Sequence, residues 1–322
     1  MKVELARRVK LKQKFTTKRG LRQVKYTILG REMNQGLIFK LVLYGIFIVT
    51  SYVYMNPILK MLVKMVMSAK DLIDPTVTWI PSSVYLGHVA EAWKLLDYPK
   101  SLSISVLIAI STAVLHCISC GLAGYALARL DVPFKKTILF LVFLAFIIPP
   151  QVVILPTIMV YTKLGLNGHL LTLILPSIFG FGVKGALFVI IFRQFFSTQP
   201  KALEEAARID GASALRFYVR VMFPLARPAI LVVLLFSFVW TWNDTYYPRM
   251  FLGSSGDMPL ALKMSFIDSQ LTTFITNGGL PEYLAEPIKM GASFLVILPP
   301  LILYLFAQRY FVESVERTGL VE

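Results

Sequence analysis

Charge is what this sequence has least of. Asp, Glu, Lys and Arg make up 16% of its 322 residues, where soluble domains carry about a quarter. With 56% hydrophobic residues and a mean hydropathy of +0.67, a soluble globular domain is excluded. Acidic residues are scarcer still, 18 against 33 lysines and arginines, for a net charge of +15. Cysteine is almost missing. Cys117 and Cys120 are the only two, so no disulfide framework is implied. With His116 beside them they still fall short of a tetrahedral zinc set, and they read as small packing residues of a bilayer helix. No G-x-x-x-x-G-K-[ST] phosphate loop occurs, since Gly182-Val183-Lys184-Gly185 lacks both the spacing and the hydroxyl. A nucleophile elbow, a zinc-protease helix and a paired-carboxylate pocket are missing too. The chain therefore reads as a non-enzyme with no cofactor of its own.

What the sequence does have is long apolar runs. Six lie near the ~20 residues needed to cross a bilayer: about Leu37–Pro57, Leu102–Ala128, Thr137–Tyr161, Leu170–Phe192, Ala229–Tyr247 and Ile288–Phe311. An all-α integral membrane protein with six transmembrane helices is expected. Residues 1–35 form a basic tail, too long and too charged for a secretory signal, and suited to anionic lipid headgroups. Residues 36–322 form the six-helix domain. Lysine and arginine collect in the tail, in Arg129–Lys136, in Arg193–Arg227 and after Gln308, whereas the alternate loops mix signs. Positive-inside counting puts both termini and the 193–228 loop in the cytoplasm of a multi-pass protein. Topology thus explains the basic residues, with no need for nucleic acid.

The longest polar-rich interval between apolar runs is Pro200–Pro228. Thr198-Gln199-Pro200 reads as a helix start, with a hydroxyl able to cap. Glu204 and Glu205 precede Arg208 by four and three residues, the favourable order for a helical ion pair. Ala202, Ala206 and Ile209 share one face, with Leu203 and Ala207 beside them. Gly211 supplies the stop. A second short helix opens at Ser213, with Leu215, Val219 and Met222 on one side and Arg216 and Arg220 on the other. Pro224 ends it and Pro228 opens the next run. Two short helices joined at a glycine make a stiff knob.

Glu205-Ala206-Ala207, Asp210-Gly211-Ala212 and Pro224 resemble the EAA loop of ABC-importer inner-membrane permease subunits. The segments Ala123–Arg129 (AGYALAR), Ile148–Gln151, Leu164–Asn167 and Trp242-Asn243-Asp244 are similar to the maltose-type, binding-protein-dependent carbohydrate branch, in order over about residues 100–311. The resemblance implies a type I importer permease fold in a bacterial plasma (inner) membrane. It implies that Glu205, Ala206, Ala207, Asp210, Gly211, Ala212 and Pro224 form a cytoplasmic coupling helix and turn. Partners implied are a related second permease, two ATP-binding subunits that carry the ATP and Mg, and an extracytoplasmic solute-binding protein. The implied cargo is an oligosaccharide or related sugar. The alternative, a secondary transporter or channel for a polar solute, should carry internal repeats or ion-binding acids within its spans, and neither stands out.

Lys184 is the clearest ionisable residue deep in a run, nine residues before Arg193 and so about 13 Å from the basic end at the helical rise. Gly180, Gly182 and Gly185 surround it and Pro176 precedes it, the composition of a broken helix beside a water-filled path. Lys184, Asn243 and Asp244 are the candidate residues of a translocation path. His116 is expected to hydrogen-bond between helices. Trp240, Trp242, Tyr246 and Tyr247 are expected to anchor the outer end of the fifth run at the interface.

Overall fold

The computed structural model describes residues 36–253 and 256–319, with side chains as far as Arg309. The basic tail, residues 1–35, lies outside the described residues. Among the described residues every regular element is helical. The chain divides into two units between Val63 and Lys64. The first unit contributes helix α1 (Leu37–Lys64), with Pro57 inside it.

In the second unit, α2 (Ala69–Ile73) and α3 (Gly87–Leu95) precede the long α4 (Tyr98–Arg129). Next come α5 (Lys135–Ile147), α6 (Pro150–Lys163), α7 (Leu171–Ile178), α8 (Gly185–Thr198) and α9 (Ala202–Ile209). Then α10 (Ala214–Phe217) runs through a π turn (Tyr218–Met222) into α11 (Phe223–Leu225). The chain closes with α12 (Arg227–Asn243), α13 (Tyr246–Leu252), α14 (Leu260–Ser265), α15 (Ile267–Thr276) and α16 (Ala285–Gly319). Among the described residues three stretches, α1, α4 and Glu282–Arg309, are long and apolar enough to cross a membrane, and two bent pairs raise the count to five.

The bends have identifiable causes. The third apolar run is two helices, α5 and α6, meeting at 99°. Proline disfavours helical geometry in the residue before it, and Ile148, ahead of Pro149, is extended at φ −62°, ψ 123°. The fourth run is likewise α7 and α8, separated at residues 179–184. Just before the fifth run the chain bends by 76°, where Ala214–Leu225 meets α12, next to Pro228.

Helix α4 is the pillar. Ser101, Ser105, Ala109, Thr112, Ala113, Cys117, Cys120, Gly121 and Gly124 recur three or four residues apart along it and are buried. Without a hydrophobic drive between helices in lipid, close approach over small side chains supplies the packing. One end of α4 joins a core with Phe188, Phe192 and Phe196 of α8, Phe217, Tyr218 and Met222. The other end joins Phe238 and Trp242 of α12, Leu260, Ile267 and Ile288. The three α8 phenylalanines are spaced by four and fully buried, so one helix face meets α4. At Gly124 an added Cβ would lie 2.6 Å from the Phe192 Cβ and 2.8 Å from the Arg193 backbone nitrogen. Only glycine fits there.

Trp242 is 3% exposed and its indole donates to the Val296 carbonyl at 3.2 Å. Trp240 packs on the first core, stacked on Phe188 and Phe236. Interfacial anchoring therefore does not describe Trp242, which faces inwards and there satisfies both its apolar area and its one donor.

In α2, Asp71 accepts from the Ser68 amide at 3.3 Å and, from the loop before α3, from the Ser82 amide and hydroxyl at 3.1 and 2.6 Å. The Ser82 hydroxyl is the main cause that holds this carboxyl below the ordinary 3.8.

Overpacking a tight contact costs about 1–3 kcal/mol. Gly124→Leu is therefore expected to lower the thermal midpoint in detergent, while Leu122→Ala, on the exposed side of α4, leaves it in place. Equal midpoints for Gly124→Leu and the parent protein would remove α4–α8 contact as the organising feature.

Candidate functional site

Two regions of the second unit carry the polar features. The first is the loop between α8 and α12. Helix α8 runs to Thr198, beyond the expected boundary at Phe192, and absorbs the threonine: its hydroxyl donates back to the Phe195 carbonyl at 2.8 Å. Thr198 is thus no cap for α9, whose N-cap, Lys201, makes no side-chain capping bond. Within α9, Glu204 rather than Glu205 pairs with Arg208, at 2.6 Å. Glu204 and Ala207 are half-buried and Ala207 packs against the first core. Ala202, Leu203, Glu205, Ala206 and Ile209 face outwards, and Ile209 is 87% exposed.

The stop after α9 follows from glycine's freedom at positive φ. Gly211 sits at φ +71°. The Gly211 amide donates to the Arg208 carbonyl at 3.1 Å and the Ala212 amide to the Ala207 carbonyl at 2.9 Å. These two bonds are a Schellman closure, with Asp210 as the C-cap. Ser213 then caps α10 by accepting from the Arg216 amide at 3.3 Å.

Beyond α10 the regular helical face expected of Leu215, Val219 and Met222 is not formed. Phe217, Tyr218 and Met222 are buried instead, while Leu215 and Val219 are 64% and 55% exposed. The π turn is the reason, because its wider i→i+5 repeat aligns Phe217 with Met222. Pro224 is exposed, in the first turn of α11. The knob therefore presents Leu203, Ile209, Leu215 and Val219 on its outside, an apolar surface unusual for a polar loop.

The second region is the break between α7 and α8. Gly180, Gly182 and Lys184 adopt φ of +67°, +108° and +62°, and Lys184 becomes the N-cap of α8. His116 holds this break in place. Its Nε2 is 3.1 Å from the Phe181 carbonyl and its Nδ1 2.8 Å from the Ser237 hydroxyl. A carbonyl only accepts, so Nε2 carries the proton and Nδ1 accepts from Ser237. One imidazole thereby joins α4, the break and α12, the interhelical bond expected of it.

Two adjoining cavities open at the break. One of about 290 Å³ is lined by Lys184, Phe146, Pro150 and Ala186 among others. The Lys184 ammonium lies 5.8 Å over the Phe146 ring. The second, of about 50 Å³, reaches Thr112, Thr157, Thr172, Thr241 and Asp244. Val153, Phe181, Gly182, Val183 and Tyr247 line both. Asp244 Oδ1 accepts from the Tyr246 and Tyr247 amides at 2.9 and 3.3 Å.

The Thr157 and Thr172 hydroxyls donate to backbone carbonyls, both at 2.7 Å. Thr112 and Thr241 are different: their hydroxyl oxygens are buried without a partner among the described residues. A buried polar atom left so costs about 1–3 kcal/mol, a cost that a hydrogen-bonding solute can offset. Lys184 and Asp244 are thus brought to neighbouring cavities. Asn243 is not: it lies outside both linings, exposed, and donates to the Val239 carbonyl at 2.8 Å. Sequence reasoning missed Thr112, Thr241 and Tyr247. A threonine in an apolar run has no signal of its own until its neighbours are known.

The chain matches the family model described as "Binding-protein-dependent transport system inner membrane component" over residues 121–317, more than half its length. It is 29% identical to the osmoprotective compounds uptake permease protein GgtD of Synechocystis sp. over 244 residues, 74% of this chain and 77% of that one. It is 28% identical to the sn-glycerol-3-phosphate transport system permease protein UgpE of Pectobacterium atrosepticum, over 76% of this chain and 84% of that one. It is 27% identical to the alpha-glucoside transport system permease protein AglG of Rhizobium meliloti, over 73% and 60% of the two chains. Among solved structures, a chain of a bacterial ABC transporter involved in the import of the acidic polysaccharide alginate superposes with a TM-score of 0.72. At 20% identity it covers 85% of this chain and 96% of that one. At that identity the likeness is one of fold.

Removing the imidazole should loosen the break. His116→Leu strands the Ser237 hydroxyl and the Phe181 carbonyl, at about 1–3 kcal/mol for each buried group left unpaired. A lower thermal midpoint and faster thiol labelling of a Val183→Cys reporter are expected, with His116→Gln intermediate. An unchanged labelling rate in His116→Leu would show that the histidine does not hold the break.

Proposed function

The chain belongs to the family of binding-protein-dependent transport system inner membrane components, and from this premise we propose that it forms half of the pathway of an ATP-driven sugar importer. It is a membrane-embedded permease subunit. A second, related permease supplies the other half, two ATP-binding subunits carry the ATP and Mg, and a solute-binding protein delivers the cargo from outside. Both termini and the α9 knob face the cytoplasm, in accord with the distribution of basic residues. The cargo is an oligosaccharide or a related sugar.

The observation that carries this reading is the knob. An eight-residue helix is too short to stand alone in water, yet α9 is seated on the core through Ala207 and shows Leu203, Ala206 and Ile209 outwards. It is closed by a Schellman turn at Gly211. Such a helix is preorganised to seat in a partner's groove. Glu205, Ala206, Ala207, Asp210, Gly211, Ala212 and Pro224 build the coupling element: Glu205 meets the ATPase surface, the alanines permit close approach, and Gly211 sets the turn. When the ATPase subunits close on ATP, the knob moves with them and the spans switch between inward-open and outward-open states. That is a two-state element biased through another chain.

The path runs past the break. Lys184, at the mouth of the larger cavity, assists oxygen-rich or acidic groups, while Asp244 and the threonine hydroxyls face the smaller one. Asn243 belongs to the same outer end of α12 and acts on the path through the position of Asp244.

In cells expressing the full transporter, Gly211→Pro forces φ from +71° to about −65°, and Glu205→Lys reverses a charge on the knob. Both are expected to abolish uptake of radiolabelled sn-glycerol 3-phosphate and α-glucosides while the spans stay folded. Normal uptake by both variants would mean that the knob is not the coupling device. Lys184→Met is expected to reduce uptake of the phosphate-bearing solute about tenfold, the scale of one charged hydrogen bond, with a smaller effect on neutral sugars. Unchanged uptake of every solute would take Lys184 out of the path.

A further inference from the structure

The motion of α9 has to reach the spans, and the chain on either side of it offers two compliant routes: the turn at Gln199–Pro200 and the Schellman turn at Gly211. A third connection runs through space. Helix α4 ends beneath the knob, and its last turns make bonds to both shoulders of it. On the α8 side, Arg129 Nε donates to the Phe196 carbonyl at 2.9 Å, and Arg129 Nη2 donates to the Gln199 carbonyl. These are carbonyls at the end of α8, where a cation also complements the helix dipole. On the far side, the Tyr125 hydroxyl donates to the Ala214 carbonyl at 3.3 Å, three residues past Gly211.

The knob lies between these two anchors. Ala207 packs on the core that Tyr125 shares with Phe196 and Tyr218. Gly124 lets α8 approach α4 closely, on the side where Arg129 reaches the end of α8. Helix α9 has no side-chain cap at its start, so on the α8 side its placement draws on the Arg129 bonds.

We propose that Arg129 and Tyr125 are positioning residues that brace the coupling knob from both sides and couple its displacement directly into α4. That helix packs in both cores and lines the smaller cavity with Ser105, Ile108 and Thr112. A push on the knob then moves the wall of the path without waiting for the flanking turns to transmit it. The inference rests on the reading of α9 as the ATPase-docking element.

The test uses the assembled transporter with its ATPase subunits and a Val183→Cys reporter, read by maleimide labelling with and without MgATP and vanadate. Cys117 and Cys120 are buried. With the brace intact, vanadate trapping changes the labelling rate. In Arg129→Gln and Tyr125→Phe the trapping itself persists, but the change in labelling shrinks, about tenfold for the arginine variant that loses charged hydrogen bonds. Hydrogen exchange in 202–212 rises in both. Arg129→Lys, a point charge without the guanidinium fork, restores part of the response. Gly211→Pro serves as the reference for docking. If Gly211→Pro abolishes the response and both brace variants keep it, the brace is wrong and the docking reading stands. If Gly211→Pro also leaves the response whole, the docking reading fails and takes the brace with it.

Discussion

Close approach of α4 to its neighbours is the constraint on which the rest of this molecule depends. In hydrocarbon, backbone groups must be satisfied within the helices and side-chain burial gains little over lipid. Contact distance then decides which helices associate. The run of serine, alanine, threonine, cysteine and glycine down α4 lets α8, α12 and α7 come in, and Gly124 takes the closest contact. Both cores form around that helix, and with them the positions of the knob at one end and the cavities along its length.

Departures from regular helix fall where polar work is done. Residues 179–184 leave helical geometry beside Thr112, Thr241 and Asp244, and His116 satisfies the carbonyl that the break exposes. The π turn at 218–222 turns Tyr218 and Met222 inwards and Leu215 and Val219 outwards. In both places a local irregularity is held by packing from α4, which is how a strained conformation persists. In the proposed function, the first lies beside the path of the cargo and the second beside the coupling element.

Much of this was legible in the residues. Gly211 as a helix stop, the Glu204–Arg208 pair, the break around Lys184 and the bridging role of His116 all follow from local chemistry, because each depends on residues within a turn or on a polar group that must find a partner. The fold class follows from run length and charge. What was not legible depends on tertiary geometry. Thr198 reads as a cap only if α8 stops early, and Phe196, buried on α4, carries that helix further. Leu215 and Val219 read as inward on a 3.6-residue repeat that the π turn abandons. Trp242 reads as an interfacial anchor until the Val296 carbonyl is placed beside it. Thr112 and Thr241 lie on different helices, and nothing along the chain connects them.

The central claim is that the outward face of α9 meets an ATP-hydrolysing chain. Its apolar side chains are otherwise at odds with water, and Ile209 is the most exposed of them. A photo-crosslinking residue placed at Ile209 in the intact assembly tests this most directly. The account predicts a covalent product with the ATPase subunit, changed in yield by MgATP and vanadate. A product only with lipid or with the outer solute-binding protein would contradict it.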